Sequence, residues 1–358
     1  MPNTSPTRRA LVTGESSTSL SHAALLAHYG FETILLEEDD SGVLRSADFL
    51  IRFYDGQPDW AKDENKPIGL TFEKLKGQFD VLIDASDSDS DTRLQNIKQL
   101  SSYLNPNALI GVQISMPDPL LAEHQEASFP RIHQFHISGS PHTANLVEYA
   151  TFESTGSDVF STFWRSLGKQ VINTRPEGPF VSSRLSSKLY ETLDALLLEG
   201  ALPYEVDEAL TTFGFKIGPF EAQDLAGLDS PYYERKQRKA QASLSYQACV
   251  ISDRMVQEGR LGKKVGVGWY RYPGDGGAVI DPLLEDLIVE EAHFAKIKRR
   301  QITDQEIVSR VVTVLIDEAT PLLEKGIVAT ASDLDQLSVQ ALHFPHGGIC
   351  VYASQHSH

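Results

Sequence analysis

Ala10-Leu11-Val12-Thr13-Gly14-Glu15-Ser16-Ser17-Thr18-Ser19-Leu20 carries the reading of the fold. Four apolar or β-branched residues end at a glycine, and Leu20, Ala23, Ala24 and Ala27 then recur at helical spacing as far as Gly30. That change of period means strand, tight turn, helix. Thr33-Ile34-Leu35-Leu36 reads as a second strand, closed by the acidic run Glu37-Glu38-Asp39-Asp40. Val81-Leu82-Ile83 and Ala108-Leu109-Ile110 are two more, with a helix expected over residues 92–104 between them. Apolar strands separated by helices predict a parallel sheet covered on both faces. Residues 41–79 are polar and irregular, and read as loop plus helix.

After about Thr174 the helical period takes over, as in Leu185, Leu189, Leu193, Leu196 and Leu197, with Gly200 placed as a helix C-cap. A repeat is visible there. One interval of 126 separates Arg184 from Arg310, Gly200 from Gly326 and Asp207 from Asp333. A helical unit duplicated in tandem explains this, each copy burying its apolar face on the other. Tyr272-Pro273-Gly274-Asp275-Gly276-Gly277 is the natural boundary between copies. The expected fold class is therefore α/β plus all-α. A Rossmann domain spans residues 1–175, a helical unit 176–273, and a second helical unit 274–358.

Bulk properties exclude several classes. The 358 residues carry a net charge of −17, which disfavours nucleic acid and anionic membrane as partners. Cys249 and Cys350 are the two cysteines, so neither a disulfide framework nor a zinc site is expected. Met1-Pro2-Asn3-Thr4-Ser5-Pro6 is polar and lacks a signal-length apolar stretch, and no segment approaches the roughly 20 apolar residues of a membrane span. A cytoplasmic location is the expectation.

Gly14 opens the first helix, where a dinucleotide pyrophosphate would lie on the helix N-terminus. Glu37 ends the second strand, placed to bind an adenosine ribose, and its charge favours NAD over NADP. The Gly-x-Gly-x-x-Gly pattern is altered: Ser16 and Ser19 stand in the second and third glycine places. Serine there either donates to phosphate or blocks its approach. The alternative to NAD binding is a Rossmann fold kept as scaffold after losing its cofactor.

Gly214-Phe215-Lys216-Ile217-Gly218-Pro219-Phe220-Glu221, continuing through Asp224-Leu225-Ala226-Gly227-Leu228-Asp229, resembles a signature of the 3-hydroxyacyl-CoA dehydrogenase family. So do Gly259-Arg260-Leu261-Gly262-Lys263-Lys264 with the following Val265–Tyr272 stretch, Ile302-Thr303-Asp304, and Phe344-Pro345 with Gly347-Gly348. The layout resembles the dehydrogenase portion of multifunctional fatty-acid β-oxidation proteins. The resemblance implies NAD-dependent oxidation of the 3-hydroxyl of an acyl-CoA. It also implies a homodimer and association with other β-oxidation enzymes as candidate partners.

In that family a catalytic histidine precedes a glutamate by twelve residues, and here His136 precedes Glu148 by the same interval. His136 would take the hydroxyl proton and Glu148 would orient the imidazole. His133 and His142 are rivals that lack this spacing. The resemblance also carries a substrate-contacting asparagine onto Ser183, a serine onto Ser115 and a strand-end acid near the cofactor onto Asp84. Asp84 reads equally well as a turn residue. The departures at Ser16, Ser19, Ile114 and Ser183 keep a second reading open: an inactive homologue acting as a binding or assembly subunit. A dehydrogenase for another hydroxy acid is a third.

Overall fold

The computed structural model describes residues 8–55, 66–123, 131–152, 159–240 and 249–356. It forms two compact units, Met1–Phe180 and Val181–His358. The N-terminal stretch from Met1 to Pro6 and residues 56–65 of the irregular segment lie outside the described residues.

The first unit runs β1 (Arg9–Thr13), α1 (Ser17–His28), β2 (Glu32–Glu37), α2 (Asp40–Asp55), β3 (Ile68–Thr71), β4 (Phe79–Asp84) and α3 (Ser90–Leu100). It continues with β5 (Leu104–Gln113), α4 (Pro119–Glu123), β6 (Ile132–His136), β7 (Leu146–Ala150), α5 (Val159–Ser166) and β8 (Gln170–Thr174). The strands form one sheet in the order β3-β2-β1-β4-β5-β6-β7-β8. Strand order reverses between β1 and β4. Their carboxyl ends therefore bound the crevice where open α/β sheets take ligands. Alternate residues feed two cores: Val12, Val81, Ile83, Phe135 and Trp164 on one face, Leu11, Leu82, Leu94, Ile97 and Ile110 on the other.

The expected Rossmann sheet is present, with three corrections. All neighbouring strands are parallel except β6 and β7, which pair antiparallel. The segment read as loop plus helix supplies α2 and also the edge strand β3. The helix expected over 92–104 starts two residues early, because Asp89 caps it by accepting from the Thr92 amide. It also ends early, since Leu104 already belongs to β5.

The second unit contains α6 (Val181–Glu199), α7 (Pro203–Phe213), α8 (Pro219–Ala226), α9 (Asp229–Ala240), α10 (Val250–Gln257), α11 (Pro282–Phe294), α12 (Asp304–Glu324), α13 (Ala331–Leu342) and α14 (Ile349–His356). The leucine stripe of α6 is buried as its spacing predicts, and Gly200 ends the helix at φ +142°. The repeat is real in three dimensions but its register shifts. Asp207 accepts from the Phe220 and Glu221 amides at the start of α8, at 2.9 and 3.0 Å. Asp335, not Asp333, does this for Cys350 and Val351 at the start of α14. Asp333 instead accepts from the Thr330 hydroxyl and, through its amide, is capped by it. Counted from the equivalent glycines, α13 starts five positions after Gly326 whereas α7 starts three after Gly200, and this difference of two moves the interval from 126 to 128. Gly218 and Gly348 serve the same purpose in each copy. A Cβ on either would sit 2.2 or 2.3 Å from the carboxylate of Asp207 or Asp335.

Equivalent parts of the two copies meet: α6 packs on α12, and Phe215 contacts Phe344 at 5.7 Å between ring centroids. Contacts between equivalent residues mark a two-fold relation.

Asp194 of α6 holds the start of α10, accepting from the Ser252 amide at 3.2 Å and the Ile251 amide at 3.4 Å. Burial outweighs these bonds and pushes its carboxyl up to about 6. Such a group contributes stability fully present below its unfolded pKa, about 4, and lost as the pH rises through about 6. Asp194→Asn cannot ionise. Its melting temperature should gain on the wild type between about pH 4 and about pH 7. A gap that stays constant over that range would show that the carboxyl titrates normally.

Candidate active site

The antiparallel pairing of β6 and β7 sets His136 directly opposite Glu148. Directly opposed residues on neighbouring strands project from the same face of the sheet, about 5 Å apart at Cβ. Glu148 is buried and His136 is half-buried. The Nδ1 of His136 lies 3.1 Å from the Ile114 carbonyl oxygen. A carbonyl can only accept, so Nδ1 carries the proton and, in the neutral ring, Nε2 does not. Phe180 stacks on the imidazole with centroids 5.8 Å apart, and its amide donates to the Ser115 carbonyl at 3.0 Å. Ser115 thus stands beside the pair, one residue past Ile114.

The rivals are placed elsewhere. Strand alternation turns His133 to the opposite face, where it stacks on Phe160 and pairs with the Tyr149 hydroxyl at 2.9 Å. Burial lowers the pKa of His142, whose amide donates to Ser21 Oγ at 3.0 Å. Ser183 belongs to the helical unit, buried in the first turn of α6, where its carbonyl accepts from the Ser187 hydroxyl.

At the first βα turn, Gly14 has φ +118°, and a Cβ there would lie 2.8 Å from the Ala85 and Ser86 backbone. Only glycine lets β1 end this close to β4. Ser16 is the N-cap of α1, accepting from the Ser19 amide. Ser19 corrects the idea that its hydroxyl reaches a phosphate. It is fully buried and turned inward onto the carbonyls of Gly14 and Ser16, at 2.7 and 2.6 Å. Among the described residues no acceptor meets the amides of Ser17 and Thr18. Bare amides at a helix N-terminus beside a glycine approach are what a diphosphate needs, and this part of the crevice fits one.

The two carboxylates expected at the cofactor end β2 and β4, and each has a partner inside the protein. Glu37 is 5% exposed and accepts from the Ser46 hydroxyl of α2. Burial, with help from nearby Glu15, holds its carboxyl above the usual range. Asp84 is spent inside the protein. It accepts from the Thr13 hydroxyl at 2.9 Å, the Ser86 amide at 3.0 Å and the Arg93 guanidinium at 3.2 Å. Arg93 is itself buried and also donates to the carbonyls of Ser86, Ser88 and Gln113. Sequence reading missed Arg93, Phe180 and His22. The one signal for His22 was a titratable side chain inside the apolar stripe of α1, and it is fully buried against Phe135 and Trp164. No group of three or more His, Cys, Asp or Glu side chains among the described residues could hold a metal ion. No helix among them is long and apolar enough to cross a membrane.

Fold and site together define a dinucleotide-type α/β domain joined to a duplicated helical unit. Residues 180–272 match the family described as 3-hydroxyacyl-CoA dehydrogenase, C-terminal domain. The peroxisomal bifunctional enzyme of Danio rerio is 31% identical over 309 residues, 80% of this chain and 42% of that protein. The human peroxisomal bifunctional enzyme is 29% identical, and the fatty acid oxidation complex subunit alpha of Acinetobacter baumannii 26%. The chain spans about two fifths of the length of these relatives, 42% of the first. Among solved structures, 3-hydroxybutyryl-CoA dehydrogenase of Escherichia coli superposes with a TM-score of 0.73 at 19% identity, covering 98% of this chain and 92% of that one. The dehydrogenase part of multifunctional enzyme 1 of C. elegans gives 0.62 at 21%, covering 97% and 84%. These likenesses show the fold. The chain belongs to the 3-hydroxyacyl-CoA dehydrogenase family.

Proposed function

We propose that this chain is an NAD-dependent dehydrogenase that converts the 3-hydroxyl of an acyl-CoA to a ketone. The observation that carries the reading is His136 facing Glu148 across β6 and β7 with its Nδ1 proton committed to Ile114. That commitment points Nε2 to the role of base: it accepts the substrate hydroxyl proton, and the imidazolium formed is steadied by the Glu148 carboxylate. Gly14 and the amides of Ser17 and Thr18 would hold the diphosphate of NAD. When bound, the nicotinamide supplies the hydride acceptor. Phe180 covers one face of the imidazole and shields it from water. Ser115 is assigned a contact to the substrate oxygen, and Ser183 keeps that role by resemblance alone.

Glu37 and Asp84 favour a second reading, because both carboxylates expected at the cofactor are turned into the protein. An inactive homologue serving as an assembly subunit for another β-oxidation enzyme would keep such a fold. Calorimetric titration of NADH into the purified chain separates the two. The enzyme reading expects saturable binding and NADH formation from a panel of L-3-hydroxyacyl-CoAs. Absence of both sinks it. Homodimerisation would need a surface other than the one the repeat buries within the chain, and sedimentation of the purified chain tests it. A cytoplasmic location belongs to the same proposal, and fractionation of cells that express the chain tests it.

A further inference from the structure

The contacts described for His136 converge on one short segment. The Ile114 carbonyl accepts its Nδ1–H, and the Ser115 carbonyl holds the Phe180 amide that places the stacked ring. The position of Gln113-Ile114-Ser115 therefore sets both the tautomer and the tilt of the imidazole. This segment lies just beyond the sheet, where strand pairing fades: Gln113 is the last residue of β5, and the Ile114 amide makes one more bond, to the Phe135 carbonyl at 2.9 Å. What else fixes it comes from side chains. Arg93 donates to the Gln113 carbonyl at 3.1 Å. From the opposite side His22, in the middle of α1, pairs through Nε2 with Gln113 Oε1.

His22 is an expensive residue to put there. It is fully buried among Phe135 and Trp164, and its Nδ1 has no hydrogen-bond partner. An amide oxygen can only accept, so Nε2 carries the proton and Nδ1 holds a bare, buried lone pair. Every neighbour on α1 at this depth is an apolar or small residue: Ala23, Leu25, Leu26. A leucine at 22 would bury as well without the polar cost. The one thing a leucine could not do is donate to Gln113.

We propose that His22 is a positioning residue, whose Nε2–H anchors Gln113 and so holds Ile114 where its carbonyl fixes the tautomer of His136. The inference rests on His136 being the base. Its consequence is that α1 carries two devices: bare amides at its N-terminus and, one turn on, a clamp reaching the catalytic strand end.

The test reads the His136 ring nitrogens directly, by long-range proton–nitrogen NMR on the ligand-free chain, alongside turnover. His22→Leu removes the donor and keeps the bulk. Gln113→Met removes the acceptor from the half-exposed side and serves where the first variant fails to fold. His22→Gln restores an N–H at the Nε2 position. Wild type and His22→Gln should show the pattern of a proton on Nδ1. The Leu and Met variants should show averaged nitrogen shifts and turnover lowered about tenfold or more at unchanged KM. Wild-type nitrogen shifts in both donor-less and acceptor-less variants overturn the proposal, whatever the activity. Altered shifts in a chain that turns over no hydroxyacyl-CoA uphold the clamp and count against the enzyme reading instead.

Discussion

His136→Ala should lower turnover about a thousandfold while KM and melting temperature stay close to wild type. The magnitude follows from what is lost. A positioned general base contributes about 10²–10⁴-fold, and no other imidazole lies on the same face of β6. The small effect on stability follows from the position: the side chain is half-buried, so truncating it opens little of the core. His133→Phe is the matched control. It sits three residues earlier but on the other face, stacked on Phe160 and bonded to Tyr149, so it should cost stability and leave turnover near wild type. Glu148→Gln should fall between, because it keeps the shape and loses the charge that steadies the imidazolium. A His136→Ala protein that works at full rate would remove the base assignment altogether.

Asp207→Ala should be among the most destabilising of single changes in the helical unit, by about 3–5 kcal/mol. Three donors would lose their acceptor at once: the Phe220 amide at 2.9 Å, the Glu221 amide at 3.0 Å and the Tyr270 hydroxyl at 2.8 Å. They are in the buried heart of the first copy, where water cannot replace the carboxylate, and each orphaned group costs about 1–3 kcal/mol. The alanine also leaves space beneath Gly218, whose missing Cβ lets α8 start against Asp207. The second copy supplies an internal comparison. Asp335 serves two amides, one at 2.6 Å and one at 3.4 Å, so Asp335→Ala should cost about half as much. Thermal melts of the two variants decide it. Equal and small losses would mean that these carboxylates are not what fastens α8 and α14.

The family's altered glycine pattern shows how a sequence departure can be read only partly. Serine at positions 16 and 19 raised the question of obstruction, and chain order alone offered no answer. In the folded unit Ser16 becomes an ordinary helix cap and Ser19 folds onto its own backbone. Hydroxyls take the nearest acceptor, and at a helix start the nearest acceptors are the carbonyls of the turn itself. The fate of Asp84 was settled by a residue nine positions later, Arg93, whose guanidinium no periodicity would have aimed at it.

Order along the chain was enough to specify the strand–turn–helix opening, the alternation that builds a doubly covered sheet, the tandem helical repeat and the interval joining His136 to Glu148. These are local or periodic properties, fixed by which residues can bury a face and which can turn. The antiparallel β6–β7 pairing, the inward turn of Glu37 and Asp84, the two-residue slip between repeats and the clamp from His22 to Gln113 came from tertiary structure alone. Each depends on which distant group a buried polar atom finds first. Burial makes that choice costly to leave unmade, and the partner's identity is a property of the assembled core.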